Sequence, residues 1–263
     1  MGSATTQALA ATTAALGAAS GVDLDVAREL FAAARAVGDS SQLSGALADS
    51  AAPVAARRKV VADVFGRAVQ PTTASLLTTA VEQRWSSADD LVDAIEELAI
   101  RAAAVATPTA DLDEELFRFS RTIAGNPELD LALGSRVGDT AAKRALVETL
   151  LSGRANDATT LIASELVQQP RERRIRQLLS RATRIVADQR GRKVATVYSA
   201  SPISDAQGTR LAAALSQRYG AAVSLNTVVD PTVIGGLRVQ IADDVIDASV
   251  SSRLADVRQR LAG

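Results

Sequence analysis

The spacing of apolar residues along this chain changes once, near residue 192. Up to that point apolar side chains recur every three or four residues, which is the period of amphipathic helices. The pattern predicts helices at 5–19, 24–37, 40–49, 54–66, 72–84, 86–106, 110–124 and 171–190. Beyond it, apolar and polar residues alternate through 193–199, as in a half-buried strand. The sequence therefore predicts an α+β fold, in which a mostly α-helical region is followed by a small C-terminal α+β module.

The C-terminal module carries its own boundary signals. Ser204 and Gln207 form a capping-box pattern at the start of a predicted helix 204–219, and Gly220 follows its end. Asp247 or Ser249 is the expected cap of a last helix. Further strands are predicted at 223–229, 237–241 and 245–246, and the last helix has an apolar stripe at Val250, Leu254, Val257 and Leu261. The expected order of elements is β-α-β-β-β-α.

Asp230-Pro231 and Gly235-Gly236 lie in the link between two of these strands. Proline fixes φ and lacks the amide hydrogen that a strand needs, so Pro231 ends the strand before it. A glycine pair at the entry of a strand indicates a bulge or the close approach of another backbone segment. We expect one of these two features at Gly235 and Gly236.

The helical region contains an internal repeat with an offset of 86 residues. Under this offset the Glu-Leu-Phe sequence at 29–31 falls on the same three residues at 115–117, and Arg35 falls on Arg121. Charged and large apolar positions match as well as alanines, which favours duplication over coincidence in an alanine-rich chain. The helix at 86–106 then serves as the last helix of the first copy and the first helix of the second.

This repeat divides the chain into three predicted regions. They are an extra helical copy at 1–86, a second copy at 87–190 and the C-terminal module at 191–263. A helix that two copies share buries more of its circumference than one at the surface of a single bundle. The helix at 86–106 has two suitable apolar stripes, one at Leu91, Ile95, Leu98 and Ala102 and the other at Val92, Ala99 and Ala103.

Composition limits the chemistry that this chain supports. It contains no histidine and no cysteine, which excludes the commonest general base, thiolate nucleophiles, disulfides and thiolate metal sites. Gly235-Gly236 is not followed by a lysine and a helix, so it does not match a phosphate-binding loop. Adjacent carboxylates at 89–90, 113–114 and 243–244 fit caps, helix faces and turns better than acid–base catalysis. We expect a protein with no active site of its own, no cofactor and no metal.

Charge is balanced overall but unevenly distributed. The net charge of −1 gives no bulk attraction to nucleic acid or membranes. The stretch before Asp23, the first charged residue, is too weakly apolar for a signal or a spanning helix, so we expect a soluble cytoplasmic protein.

Residues 171–193 are rich in arginine and residues 89–115 are acidic, so the two regions dock on each other or on different partners. The alternative function is a helical nucleic-acid-binding or regulatory protein that uses the basic helix, although no aromatic residues interleave with its arginines.

Several pieces of the C-terminal sequence together resemble the signature of one known family. They are Val229-Asp230-Pro231, Ile234-Gly235-Gly236-Leu237, Ile246-Asp247 and Ser249-Val250-x-x-Arg253-Leu254. In this order, with a helix at the end of the chain, they resemble the delta subunit of F-type ATP synthases, whose mitochondrial counterpart is the oligomycin-sensitivity-conferring protein. The extra copy at 1–86, together with Arg84-Trp85-Ser86, resembles the long delta subunits of actinobacteria.

The resemblance implies a function that the residue chemistry alone does not. It implies a non-catalytic peripheral-stalk subunit, or stator, that links the α/β catalytic head to the b-type stalk and resists rotation during proton-driven ATP synthesis. The helical bundle would bind the N-terminal helix of an α subunit, and the C-terminal module would bind the stalk. The implied location is the cytoplasmic face of the membrane, without insertion. The implied partner-binding residues are Asp230, Pro231, Ile234, Gly235, Gly236, Asp247, Ser249, Arg253 and Leu254.

Overall fold

A computed structural model describes residues 2–135, 138–170, 173–241 and 244–250. The chain divides into two compact units, Met1–Val186 and Ala187–Gly263. The first is helical and the second combines a small sheet with a helix, so the predicted α+β fold is confirmed. Its helical part comprises α1 (Ser3–Ala18), α2 (Leu24–Gly38), α3 (Ser41–Ala48), α4 (Val54–Phe65), α5 (Pro71–Glu82), α6 (Ala88–Ala106), α7 (Leu112–Ala124), α8 (Pro127–Gly134), α9 (Thr140–Leu151), α10 (Asp157–Gln168) and α11 (Ile175–Gln189).

Side-chain caps determine where several of these helices begin. The Asp23 carboxylate accepts a hydrogen bond from the Val26 N–H at 2.9 Å, and the Ser87 hydroxyl accepts one from the Asp90 N–H at 3.1 Å. Each cap satisfies an amide that the helix itself leaves without a partner. Since a cap lies outside the helix, α6 begins at Ala88, two residues later than predicted. The Arg173 N–H donates to the Pro170 carbonyl at 2.8 Å, and α11 begins at Ile175 rather than at the predicted residue 171.

The internal repeat is visible in the helix boundaries. Helices α3, α4 and α5 recur as α8, α9 and α10 with both ends displaced by the same 86 positions that the sequence repeat predicts. The same pairing matches α2 with α7, α1 with α6 and α6 with α11. The helix boundaries therefore follow the same offset as the sequence repeat, and the division of the helical region into two copies stays a prediction.

One polar contact is reproduced in both copies. In the first copy the Glu29 carboxylate accepts hydrogen bonds from the Thr73 hydroxyl at 2.5 Å and the Gln70 N–H at 2.9 Å. In the second copy Glu115 accepts the corresponding bonds from Thr159 at 2.5 Å and from the Asn156 N–H at 2.9 Å. In each case the bonds attach the start of the fifth helix of that copy to its second helix.

These equivalent contacts predict equivalent energetic effects. We expect Thr73→Val and Thr159→Val each to lower the free energy of unfolding by about 1.5–3 kcal/mol, because a buried hydroxyl that donates to a carboxylate is removed without loss of volume. Both threonines are fully buried. Chemical denaturation of the two variants measures the effects. Values that differ by more than about 1.5 kcal/mol would contradict the equivalence.

Helix α6 contacts helices of both copies. It packs against α1, α2, α3 and α5 of the first copy and against α10 of the second. Both predicted stripes are buried, with Leu91, Ile95, Leu98, Ala102, Val92, Ala99 and Ala103 at most 2% exposed. A single apolar core runs through both copies and includes Leu30, Leu98 and Ile162. The first unit therefore has one continuous apolar core, and α6 contacts helices from both predicted copies.

In its described residues, the second unit is a mixed four-stranded sheet with one helix. It contains β1 (Arg192–Ser199), α12 (Asp205–Tyr219), β2 (Ala222–Val229), β3 (Leu237–Ile241) and β4 (Asp244–Asp247). The strand order is β2-β1-β3-β4, where β1 and β2 are parallel and the other pairs antiparallel. The predicted capping box at Ser204 and Gln207 is present, and Gly220 ends α12 with φ 66°. The predicted last helix lies outside the described residues apart from its first position.

In the described ranges, none of the helices combines the length and the apolar character needed to cross a membrane.

Candidate partner-binding surfaces

Asp230 organises the turn that follows β2. Its N–H donates to the Ser199 carbonyl at 2.8 Å, which joins the turn to the end of β1. Its carboxylate accepts hydrogen bonds from the Thr232 hydroxyl at 2.7 Å and the Thr232 N–H at 3.0 Å, and these bonds lower the pKa of Asp230. Pro231 occupies the next position of a turn that the Val233 N–H closes by donating to the Asp230 carbonyl. The turn therefore has a well-defined geometry.

Gly235 and Gly236 both adopt positive φ, at 65° and 77°. A Cβ on Gly236 would lie 2.4 Å from the Ala248 carbonyl oxygen, and one on Gly235 would lie 2.8 Å from a Val250 methyl group. The Val250 N–H donates to the carbonyls of Ile234 and Gly235, both at 3.1 Å. Of the two features predicted here, a bulge or a close backbone approach, the close approach is observed, and its partner is the segment 248–250. We call the contact between 234–236 and 248–250 the glycine junction.

Charged side chains surround the glycine junction. The Asp247 carboxylate accepts a hydrogen bond from the Ser249 N–H at 2.9 Å, and bonds from the Ser249 side chain and N–H lower the pKa of Asp247. Arg238 lies across from Asp247 in the strand pair and stacks on the Tyr198 ring, with its guanidinium carbon 4.6 Å from the ring centroid. The positive charge of Arg238 makes a smaller contribution to lowering the pKa of both Asp230 and Asp247. The two carboxylates and Arg238 thus form one electrostatic cluster.

Apolar side chains are exposed at the same place. The side chain of Ile234 is 66% exposed, and Val250, whose backbone bonds to Ile234, is 46% exposed. Adjacent exposed apolar residues with a polar rim are typical of protein-binding surfaces. Val245 on β4 and Val229 at the end of β2 are also exposed. The glycine junction therefore presents an apolar surface of fixed shape.

Most of the predicted partner-binding residues meet at the glycine junction or in the turn that leads to it. The structure brings together Asp230, Pro231, Ile234, Gly235, Gly236, Asp247 and Ser249. Arg253 and Leu254 lie outside the described residues. The sequence reasoning missed Arg238 and Tyr198, because their proximity depends on the pairing register of β1 and β3. The alternation of apolar and polar residues in 237–241 places Arg238 on the polar face of β3. That alternation was the one sequence feature that could have pointed to Arg238.

The second candidate surface lies on the acidic helix α6 and the basic helix α11, which contact each other. Arg181 pairs with Glu96 at 3.1 Å and Glu97 at 3.0 Å. Arg173 pairs with Glu96 at 3.1 Å and Asp93 at 3.5 Å. The first of the two docking modes left open by the sequence, contact with each other, is therefore observed for these residues. The arginines involved are neutralised within the protein and are not presented to a nucleic acid.

Within the ranges that the structure describes, no group of three or more Asp and Glu residues is arranged to hold a metal ion.

Comparison with known proteins identifies the family. The family model described as ATP synthase delta (OSCP) subunit matches residues 98–261. The ATP synthase subunit delta of Leifsonia xyli is 49% identical over 100% of both chains. The corresponding subunit of Streptomyces avermitilis is 40% identical, over 91% of this chain and 89% of its own. That of Streptomyces coelicolor is 41% identical, over 89% and 97% respectively. The chain therefore belongs to the ATP synthase delta (OSCP) subunit family.

Proposed function

We propose that this protein is a non-catalytic stator subunit that joins the catalytic head of an F-type ATP synthase to its b-type stalk. The observation that carries the proposal is the likeness to an ATP synthase subunit delta over the full length of both chains, at 49% identity. In this role the protein holds the head stationary while the rotor turns inside it. The task requires firm binding at two places and no reactive group.

The architecture supports the binding of different partners by the two compact units. The helical unit offers long helix faces, and a face rich in small side chains allows a partner helix to approach closely. We assign the head, and in particular the N-terminal helix of an α subunit, to this unit. The second unit offers the glycine junction with its exposed Ile234 and Val250, and we assign the b-type stalk to that surface.

The nucleic-acid-binding alternative receives no support from Arg173, Arg176 and Arg181, which lie in the basic region 171–193. Binding to a phosphate backbone needs cations that are free to replace counterions. Arg173 and Arg181 instead pair with carboxylates of α6, and Arg176 pairs with Asp130 at 3.4 Å. The stator role places the protein on the cytoplasmic face of the membrane, as a peripheral part of the synthase.

Reconstitution with membranes tests the proposal. Vesicles that carry the ATP synthase are washed free of this subunit, and the purified full chain is then added. We expect the rate of proton-driven ATP synthesis to recover as the chain is added. The rate should reach a plateau once every synthase has bound the chain. ATP hydrolysis by the soluble head should be unchanged by the chain, since it contributes no catalytic group. The nucleic-acid alternative is correct if the chain does not raise the rate of ATP synthesis above that of the washed vesicles, and if it binds random DNA with a steep salt dependence.

A further inference from the structure

A groove lies between α8 and the start of α11, in the second predicted copy. Its volume is about 580 Å³. Asp130 and Leu131 of α8 line one part of it, and Arg173, Arg174 and Arg176 line another. We call it the basic groove, because three of these five residues are arginines. It combines positive charge with an apolar side chain.

Leu131 is the most exposed large apolar side chain in the described ranges, at 74%. A single exposed leucine needs no explanation, but one that lies in a groove with a charged rim is typical of a protein-binding surface. Under the 86-residue offset, the corresponding position of the first copy is Gly45. The exposed apolar side chain is therefore a feature of the second copy and not of the shared helical scaffold.

The start of α11 also differs from that of its equivalent, α6. The Ser87 hydroxyl caps α6, and two aspartates lie in its first turn. At the positions of Ser87 and Asp90 the second copy has Arg173 and Arg176. Negative side chains stabilise the positive end of a helix dipole, whereas positive ones oppose it. The stability of α11 therefore does not account for this group of arginines.

Ion pairs within the chain account for two of the three arginines, and Arg174 is the exception. Arg173 pairs with Glu96 at 3.1 Å and Arg176 with Asp130 at 3.4 Å. Arg174 is exposed, and no carboxylate of the described residues pairs with it.

Arg174 also occupies the capping position of α11. Its carbonyl accepts hydrogen bonds from the Gln177 N–H at 2.8 Å and the Leu178 N–H at 3.1 Å, and α11 begins at the next residue. A guanidinium has no acceptor atom with which to cap the free amides of a helix. Arg174 thus neither caps nor pairs, and it leaves an uncompensated positive charge in the groove that contains Leu131.

We propose that the basic groove binds an acidic amphipathic segment of another protein. A carboxylate of the segment pairs with Arg174, and an apolar side chain of the segment packs against Leu131. Charge complementarity indicates the sign of the partner, and the exposed leucine indicates that the partner is a polypeptide. A phosphate backbone would meet Arg174 but would leave Leu131 in water.

The first copy lacks this surface, since Gly45 and Ala88 stand at the positions of Leu131 and Arg174. The inference goes beyond the stator function and does not depend on it.

Selection from a displayed library of random peptides tests the proposal with the full-length chain. We expect the enriched peptides to combine aspartate or glutamate with large apolar residues. Leu131→Ser and Arg174→Asn should each weaken their binding by at least about tenfold. Two matched variants outside the groove should bind as the unaltered chain does. They are Val64→Ser, at an exposed valine of α4, and Arg184→Asn, at an exposed arginine of α11.

Thermal unfolding of Arg174→Asn separates binding from a role in the fold. Asparagine is a good capping residue, so the melting temperature should rise while peptide binding weakens. A lower melting temperature would show that Arg174 serves the stability of α11 and would overturn the proposal.

The remaining outcomes are also decisive. The proposal is wrong if no peptides are enriched, if they lack carboxylates, or if their binding is insensitive to Leu131→Ser and Arg174→Asn. It is also wrong if a random DNA oligomer binds the chain and loses affinity in Arg174→Asn but not in Leu131→Ser, because the groove then accepts phosphate. No component of the ATP synthase takes part in this experiment, so its result is independent of the reconstitution that tests the stator function.

Discussion

Replacing Arg35 by methionine should destabilise the helical unit by about 3–5 kcal/mol, because it leaves a buried carboxylate without its main partner. Arg35 of α2 pairs with Glu165 of α10, whose side chain is 1% exposed. Burial, followed by the positive charge of nearby Arg144, lowers the pKa of Arg35. Methionine retains the aliphatic volume of the side chain, so the effect reports on the charge.

Few other groups could compensate the negative charge of Glu165 once Arg35 is removed. Arg144 lies 3.7 Å from it and is 40% exposed, and no further hydrogen-bond donor reaches the Glu165 carboxylate oxygens in the described structure. Loss of Arg35 therefore leaves a carboxylate inside the apolar core that the two copies share. Because the pair links α2 to α10, we expect hydrogen-exchange protection to fall in both copies and not in the first alone.

Two further variants separate the buried charge from a general effect on α2. Arg28→Met removes an exposed pair with Asp25 on the same helix, where both side chains are at least 50% exposed, and should cost less than about 1 kcal/mol. Adding Glu165→Leu to Arg35→Met removes the unpaired carboxylate and should restore most of the lost stability. If the double variant is as unstable as Arg35→Met alone, the buried charge is not the cause.

The contrast between the repeat and this ion pair shows which features sequence patterns predict. Helix boundaries followed from apolar spacing and from caps such as Asp23, because these signals are local. The repeat followed from an offset at which large and charged residues coincide. Arg35 and Glu165 are far apart in sequence, and the position equivalent to Glu165 in the first copy is Thr79. No periodicity or internal comparison therefore pointed to their contact.

The same distinction applies to the glycine junction. The sequence predicted a bulge or a close backbone approach at Gly235 and Gly236, because a glycine pair at a strand entry is typical of both. The identity of the approaching segment depends on the register that places β4 beside β3. That register brings Ala248 against Gly236 and Asp247 across from Arg238, and nothing local encodes it.

Gly236→Ala should destabilise the second unit by about 3 kcal/mol or more, through two effects that add. The first is the backbone: φ at Gly236 is 77°, which a residue with a Cβ adopts only at a cost. The second is contact, since the new Cβ would lie 2.4 Å from the Ala248 carbonyl oxygen and 3.1 Å from the Ser249 Cα. Both are backbone atoms, so no side-chain rotation relieves the overlap, and the glycine junction must open.

Gly220→Ala separates the two effects, because Gly220 also has positive φ, at 66°, but nothing lies within 4 Å of an added Cβ. We expect it to cost only about 1–2 kcal/mol. Thermal and chemical unfolding of the two variants measures the difference, which represents the contact between the two segments. Equal destabilisation would show that the close approach contributes nothing beyond the backbone conformation.

The same two variants should differ in stalk binding. Ile234 and Val250 keep their positions through hydrogen bonds across the glycine junction, so Gly236→Ala should abolish stalk binding. Gly220→Ala, at the far end of α12, should retain it.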